Sequence, residues 1–303
     1  MAIRLASIGA LLLIATLSAQ TQPPLRDERH FRSGIEVTSI TATVTDAEGH
    51  LVTGLDRDAF EVYEDAVRQN ITQFTSERVP IGLGVLLDTS DSMFGRRIED
   101  ARAAVNRFLF DLLDPNDEFF IVAFNHQPRT LTSWTHSPEE VRRVLERLRP
   151  FGGTAAYDAV IQALPFIERR SRERAALLVI SDGADTASTA TLRDVRSALL
   201  RSDAFLYAIA IDSPERQAIN ARVNAEALRE MTAESGGRTE VVRSSTELND
   251  ATARIADELN HQYLLGYTSS HGADGQYHSI RVRVPGTDNR VRARRGYVAT
   301  PRD

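Results

Sequence analysis

The chain contains no cysteine, which excludes disulfide bonds, thiolate metal sites and cysteine nucleophiles. Lysine is missing as well, so all 36 basic residues are arginine. Without lysine, a Walker-type phosphate loop, a Schiff base and a lysine general base are excluded. We attribute the missing lysine to a GC-rich genome rather than to function.

The composition is that of a globular protein. The 303 residues are 42% hydrophobic and 26% charged, which is enough to build a core in one large domain or two smaller ones. The net charge of −6 gives no reason to expect nucleic acid as a partner.

The first residues, MAIRLASIGALLLIATLSAQTQPP, have the pattern of a secretory signal. One arginine precedes an apolar run from Ile8 to Leu17, and small and polar residues follow. We expect a signal peptide over residues 1–19 and a protein that works outside the cytoplasm, secreted or in the periplasm or cell envelope. The alternative is an uncleaved N-terminal membrane anchor, although the run is shorter than the roughly 20 apolar residues of a span.

The two ends of the mature chain carry β-strand patterns. Residues 20–34 are polar and predict a flexible lead-in. Residues 35–78 alternate β-branched and polar side chains, as in IEVTSITATVTD, which predicts short strands. Residues 264–303 return to this alternation, with turn signals at HGADG and PGTDN. We therefore expect a small discontinuous β module, formed by the N- and C-terminal segments.

Residues 79–263, between these ends, alternate strand and helix patterns. Four continuous apolar runs, IGLGVLLD, EFFIVAF, AALLVISDG and AFLYAIAI, are typical of strands buried on both faces. The segments between them have the spacing of amphipathic helices, and RTLTSWT predicts an edge or antiparallel strand. The order predicts an α/β fold with a doubly wound, mostly parallel, Rossmann-like sheet.

Oxygen-bearing side chains follow the strands of this predicted sheet. The first strand runs into VLLDTSDSM, which places Asp88, Ser90 and Ser92 at alternate positions. In an open α/β sheet the carboxyl ends of the strands share one edge, and the topology brings Thr154 and Asp182 there too. Two carboxylates and three hydroxyls suit a small, hard divalent cation such as Mg²⁺. Because hydroxyls are neutral, the ion would keep positive charge for a carboxylate of a partner.

These residues resemble the metal-ion-dependent adhesion site (MIDAS) of the von Willebrand factor A domain. DTSDS, GGT and SDG follow one another with the order, spacing and strand-end placement of that site. The resemblance implies that Ser90 and Ser92 bind Mg²⁺, or Mn²⁺ or Ca²⁺, directly, and that Thr154 does so in the ligand-bound form. It also implies that Asp88 and Asp182 act mainly through water.

Three residues beside these five predicted metal ligands are candidates for ligand contact. Asp91 departs from the family pattern, in which many relatives have glycine, and its carboxylate would strengthen metal binding or repel an acidic ligand. Phe94 follows the motif, and a core position is an equal alternative for it. His126 ends the second strand, where a solvated turn residue is the alternative that we favour.

The flanking segments extend the resemblance. GLDRDAFEVYEDAVRQNITQF, YLLGY and RVRARRGY are similar to segments of secreted bacterial proteins with VWFA-related domains, described from acidobacteria. The similarity covers about residues 35–298 and implies the same architecture and compartment.

Two classes of function follow from the predicted ion. The first, which we favour, is a non-enzymatic adhesion or scaffolding module whose metal bridges to an acidic group on a protein partner. The alternative is a Mg-dependent hydrolase or phosphoryl-transfer enzyme, which needs a nucleophile or base beside the ion. None of the seven histidines lies in HExxH and the chain has no GxSxG, which leaves Asp91 and His126 as candidate bases. A metal that only stabilises the fold is a third possibility.

Overall fold

A computed structural model describes residues 37–182, 185–212 and 225–300. The predicted signal peptide, 1–19, and lead-in, 20–34, lie outside these ranges. The strands are β1 (Val37–Thr45), β2 (Glu61–Glu64), β3 (Val67–Gln69), β4 (Ile71–Thr75), β5 (Ile81–Asp88), β6 (Glu118–Phe124), β7 (Pro128–Thr135), β8 (Arg174–Ser181), β9 (Phe205–Ile211), β10 (Thr239–Val242), β11 (Tyr263–Thr268), β12 (Tyr277–Arg283), β13 (Arg290–Ala293) and β14 (Gly296–Val298). The helices are α1 (Arg96–Arg107), α2 (Pro138–Glu146), α3 (Ala156–Glu168), α4 (Leu192–Leu199), α5 (Ala225–Ser235) and α6 (Ser245–Asn260).

The four continuous apolar runs form the middle of a six-stranded sheet. Its order is β10-β9-β8-β5-β6-β7, and only β7 is antiparallel to its neighbour. Every residue of β5, β6, β8 and β9 is buried. Helices cover both faces of the sheet, so neither face of these strands is exposed to water and polar and apolar residues do not alternate along them. The predicted α/β fold with a mostly parallel sheet is confirmed.

Two apolar cores lie on the two faces of this sheet. Leu83, Val85 and Leu87 of β5 pack into one core with buried residues of α1, α2 and α6. Leu86 faces the other core, which α3, α4 and α5 cover. No helix in the described ranges combines the length and the apolar character that crossing a membrane requires.

Gly84 lies where β5 has no room for a side chain. A Cβ at this position would meet Phe120 Cζ at 2.4 Å and Leu177 Cδ2 at 2.6 Å. We expect Gly84→Ala to lower the free energy of unfolding by about 1–3 kcal/mol, because overpacking forces core side chains off their rotamers. Urea unfolding measures this loss.

The matched control for Gly84→Ala is Gly272→Ala. A Cβ at Gly272 meets nothing within 4 Å, so the free energy of unfolding should change by less than about 0.5 kcal/mol. Equal stability of the two variants would contradict the packing argument.

Strands from both ends of the chain pair with each other. One sheet has the order β13-β1-β11-β4 and the other β14-β12-β2-β3. Their inward side chains form a third apolar core, with Ile40, Val62, Tyr263 and Tyr267 among its buried members. Residues 277–283 of β12 alternate between buried and exposed positions, as expected for a strand with one wet face. The predicted domain boundaries, 78/79 and 263/264, stay a prediction.

Candidate metal centre

Asp88 is the last residue of the central strand β5 and is fully buried. One of its carboxylate oxygens accepts a hydrogen bond from the backbone N–H of Ser90 (2.8 Å), and the other accepts one from the hydroxyl of Ser181 (2.6 Å). Ser181 ends the neighbouring strand β8, so Asp182 follows it at the same edge. Adjacent parallel strands thus bring together two carboxylates that are far apart in the sequence.

The hydroxyls of Ser90 and Ser92 lie next to each other, with their oxygens 2.9 Å apart. A single 3₁₀ turn at Asp91–Met93 makes this possible, because it bends the chain after the strand and buries Met93 beneath it. The Ser92 hydroxyl also hydrogen-bonds to Asp182. Ser92 is half-buried, so the group reaches the protein surface.

The loop that carries Thr154 is tied to the loop after β5. The backbone N–H of Asp91 donates to the carbonyl of Gly152 (2.9 Å), and the N–H of Phe151 donates to the carbonyl of Thr89 (2.9 Å). Thr154 itself is buried at this edge. The structure therefore brings together all the segments that hold the five predicted ligands: Asp88, Ser90, Ser92, Thr154 and Asp182. Their role as metal ligands stays a prediction.

Glycine is needed at each of the two positions before Thr154, for a different steric reason at each. Gly152 has a φ of +76°, a conformation that side chains other than glycine rarely adopt. A Cβ on Gly153 would meet Thr186 Oγ1 at 3.1 Å, and the same Thr186 hydroxyl accepts a hydrogen bond from the N–H of Thr154 (2.9 Å). Gly152 thus allows the backbone turn, and Gly153 lets the loop pack closely against residues 186–187.

The edge holds more negative than positive charge. Burial, and next the charge of Asp182, raise the pKa of Asp88 to about 7. Burial also raises the pKa of Asp182, while the Ser92 hydroxyl and Arg97 oppose that rise. Arg97 lies with Nη1 3.4 Å from Asp182 Oδ2 and donates to the Ser92 carbonyl at 2.8 Å. Arg97 is paired with Asp182, and a hard divalent cation at this edge would favour the charged form of both carboxyl groups. These residues therefore fit a Mg²⁺-type ion.

The three candidate ligand contacts all lie on the surface. Phe94 is 76% exposed, so its alternative placement in the core is wrong. Asp91 and His126 are exposed as well. The His126 ring packs edge-on against Phe151, with the ring centroids 5.6 Å apart. Their contact with a ligand stays a prediction.

Sequence reasoning missed three residues of this region. Arg97 carried no signal, because it follows Arg96 in a helix whose other arginines are surface residues by pattern. Ser181 precedes Asp182 at the end of an apolar run, and its bond to Asp88 depends on which strands are neighbours. Phe151 is 51% exposed, and its segment FGGT has a signal only in the two glycines and Thr154.

The family model of the von Willebrand factor type A domain matches residues 83–184. Inter-alpha-trypsin inhibitor heavy chain H4 from Sus scrofa is 32% identical over 98 residues, which cover 31% of this chain and 10% of that protein. The match thus takes in only a small part of the curated relative.

Solved structures show the same fold. The von Willebrand factor type A protein from Catenulispora acidiphila has a TM-score of 0.51 and 14% identity, over 90% of this chain and 78% of that one. The conserved hypothetical protein BatB from Bacteroides thetaiotaomicron has a TM-score of 0.50 and 22% identity, over 59% of this chain and 97% of that one. At such identities the likeness is one of fold alone.

Proposed function

Since the chain carries a von Willebrand factor type A domain, matched over residues 83–184, we propose that it is a metal-dependent protein-binding module of the adhesion or scaffolding kind. A divalent cation at the edge of the sheet bridges to an acidic side chain of a protein partner. The ion is Mg²⁺, with Mn²⁺ and Ca²⁺ as the alternatives. The proposed compartment is extracytoplasmic, secreted or in the periplasm or cell envelope, because of the predicted signal peptide.

The observation that carries this proposal is the pair of buried carboxyl groups, Asp88 and Asp182, at the carboxyl edge of the sheet with Arg97 paired to Asp182. Ser90, Ser92 and Thr154 offer neutral oxygens, while Asp88 and Asp182 supply the charge that attracts the ion. When bound, the ion supplies a Lewis-acidic position for one carboxylate oxygen of the partner. Ser92 is half-buried at the protein surface, so the carboxylate of a partner can approach the ion from the Ser92 side.

The remaining residues of the edge hold the ligands in place. Ser181 fixes one oxygen of Asp88, and Arg97 holds both Asp182 and the carbonyl of Ser92. Because these partners lie on strand ends and a helix, the site is preorganised on rigid elements. The exposed rings of Phe94 and Phe151 flank it and offer the aromatic area that protein interfaces favour.

A binding role is proposed rather than catalysis because the two candidate bases, Asp91 and His126, are exposed side chains. His126 packs on Phe151, and Asp91 is an exposed carboxylate beside a turn. Two nearby carboxylates are engaged by backbone donors: Asp158 accepts the N–H of Thr189 at 2.9 Å, and Asp185 accepts that of Tyr157 at 3.0 Å.

Capture from the source organism's envelope and secreted fractions tests the proposal. The mature chain is used with Mg²⁺, with EDTA, and as Asp88→Ala with Mg²⁺. Asp257→Asn, which removes an exposed carboxylate on α6, is the matched control. We expect a protein that the wild type and the control capture only with metal, and that Asp88→Ala does not capture.

Identical captures in every arm would contradict the proposal and would direct attention away from the sheet edge. Isothermal titration of Mg²⁺ into the same variants then separates two causes of failure. If Asp88→Ala loses the capture but still binds Mg²⁺, the ion does not form the bridge to the partner.

A further inference from the structure

The β module contains a second group of metal-binding side chains. Asp65, His271 and His278 each offer one ligand atom, and these three atoms lie within 4.8 Å of one another. We propose that they form a transition-metal site, separate from the sheet edge, that takes Zn²⁺ or a similar ion.

His278 is the central residue of this group, and its side chain is only 5% exposed. Its Nδ1 lies 2.8 Å from Asp65 Oδ2, and its Nε2 lies 3.2 Å from Asp274 Oδ1. His271 Nε2 lies 3.7 Å from the same oxygen of Asp65. Both nitrogens of a buried ring thus face carboxylates, and a second imidazole lies beside one of them.

Neighbouring residues hold the Asp65 carboxylate in place. Asp65 forms the β2–β3 turn with Ala66, at φ values of 48° and 65°, where Asn-Gly is the usual pair. The other oxygen of Asp65 accepts hydrogen bonds from the backbone N–H (2.8 Å) and the hydroxyl (3.1 Å) of Ser279. This places its Oδ2 against His278. Tyr297 packs near the His278 ring, at 5.6 Å between centroids.

The donor set favours a borderline metal over a hard one. Two imidazoles and one carboxylate suit Zn²⁺, Ni²⁺ or Cu²⁺, whereas the all-oxygen sheet edge suits Mg²⁺. At Zn–N distances of about 2.0–2.1 Å, tetrahedral ligand atoms stand about 3.3 Å apart, close to the spacings here. The Asp274 carboxylate lies beside Nε2 of His278, the ring nitrogen that would not bind the metal. A carboxylate at this position orients a metal-bound histidine.

Metal binding changes the group in two ways. The ion replaces the proton that lies between His278 Nδ1 and Asp65 Oδ2, and this proton is released to the solvent. The ring of His271, now stacked on His278 at 4.1 Å between centroids, turns so that its Nε2 lone pair points at the ion. His271 is 39% exposed and has room for this rotation. The bound ion ties the β2–β3 turn to the β11–β12 connection and stabilises the module, in a chain that has no cysteine for a disulfide.

Zn²⁺ titration of the untagged mature chain tests the site. Excess Mg²⁺ is present, and calorimetry and thermal unfolding are measured for the wild type, His271→Ala and Asp88→Ala. His261→Ala is the matched control, because His261 is also exposed and carboxylate-paired but directly follows α6. We expect one Zn²⁺ site in the wild type, in Asp88→Ala and in the control, and at least a tenfold loss of affinity in His271→Ala.

The rise in melting temperature that Zn²⁺ causes in the wild type should be absent in His271→Ala. Co²⁺ gives a second reading, since its visible absorption bands report nitrogen–oxygen coordination and should be lost in His271→Ala. Unchanged Zn²⁺ affinity in His271→Ala, or no saturable binding to the wild type, would overturn the proposal and leave a hydrogen-bonded His–Asp cluster only. Loss of Zn²⁺ binding in Asp88→Ala would assign the ion to the sheet edge instead.

Discussion

Glu258→Ala is expected to lower the free energy of unfolding by about 3–5 kcal/mol, because it removes a buried carboxylate on which several partners depend. The Glu258 side chain is 1% exposed. Its Oε1 accepts hydrogen bonds from the hydroxyls of Thr43 (3.0 Å) and Tyr207 (2.7 Å). Its Oε2 lies 2.5 Å from Nη2 of Arg292.

The size of the effect follows from what the variant leaves behind. Arg292 loses its carboxylate, and the fully buried Tyr207 loses the acceptor of its hydroxyl proton. Burial and the charge of Glu258 raise the pKa of Tyr207 well above its usual value, so this hydroxyl remains a donor. Thr43, Tyr207 and Arg292 lie on β1, β9 and β13, so the Glu258 carboxylate joins the central sheet to the β module.

Urea unfolding measures the effect, with Asp257→Asn as the control. Asp257 is on the same helix, is 61% exposed and pairs with His261, so its variant should stay within about 0.5 kcal/mol of the wild type. A loss below about 1 kcal/mol for Glu258→Ala would contradict the argument. Because Glu258 joins both parts, we expect the wild type to unfold in one transition.

The central sheet could be predicted from sequence because burial on both faces removes alternation. IGLGVLLD shows this: an apolar run of strand length that ends in a carboxylate has few other interpretations. The convergence of Asp88 and Asp182 also followed from sequence, since parallel strands deliver their last residues to one edge.

The contacts that hold these elements together could not be predicted. The Glu258 carboxylate has the sequence context of any helical surface acid, and its partner Arg292 lies in an arginine-rich tail. Asp65 and His278 are 213 positions apart, and their contact depends on the register of β12 against β2. Neither pair has a local motif, because register and strand neighbours are set by packing of the whole module.

Asp88→Asn is expected to have opposite effects with and without a divalent cation. Asp88 is fully buried beside Asp182, and its pKa is raised from 3.8 to about 7 by burial and then by that neighbour. A carboxyl whose pKa is higher in the folded chain than in the unfolded chain lowers stability above the unfolded pKa. The loss grows from about pH 4 and is complete above about pH 7, with an upper limit of about 4 kcal/mol.

Asparagine keeps the shape of the side chain and removes its charge. In EDTA at about pH 8, the variant should therefore be more stable than the wild type by about 1–4 kcal/mol, and the difference should shrink at about pH 5. With Mg²⁺ the order changes, because the ion raises the melting temperature of the wild type and should leave that of the variant unchanged.

Thermal unfolding at both pH values, with EDTA and with Mg²⁺, checks these signs. Asp257→Asn is the control: it removes an equal charge from an exposed carboxylate on α6, so it should give no stabilisation in EDTA and keep its response to Mg²⁺. A destabilised Asp88→Asn protein in EDTA would mean that hydrogen bonds of the charged carboxylate outweigh its repulsion from Asp182. A full Mg²⁺ response in the same variant would place the ion elsewhere. The two signs together separate a carboxylate kept for a metal from one kept for the fold, since only the former improves stability when its charge is removed.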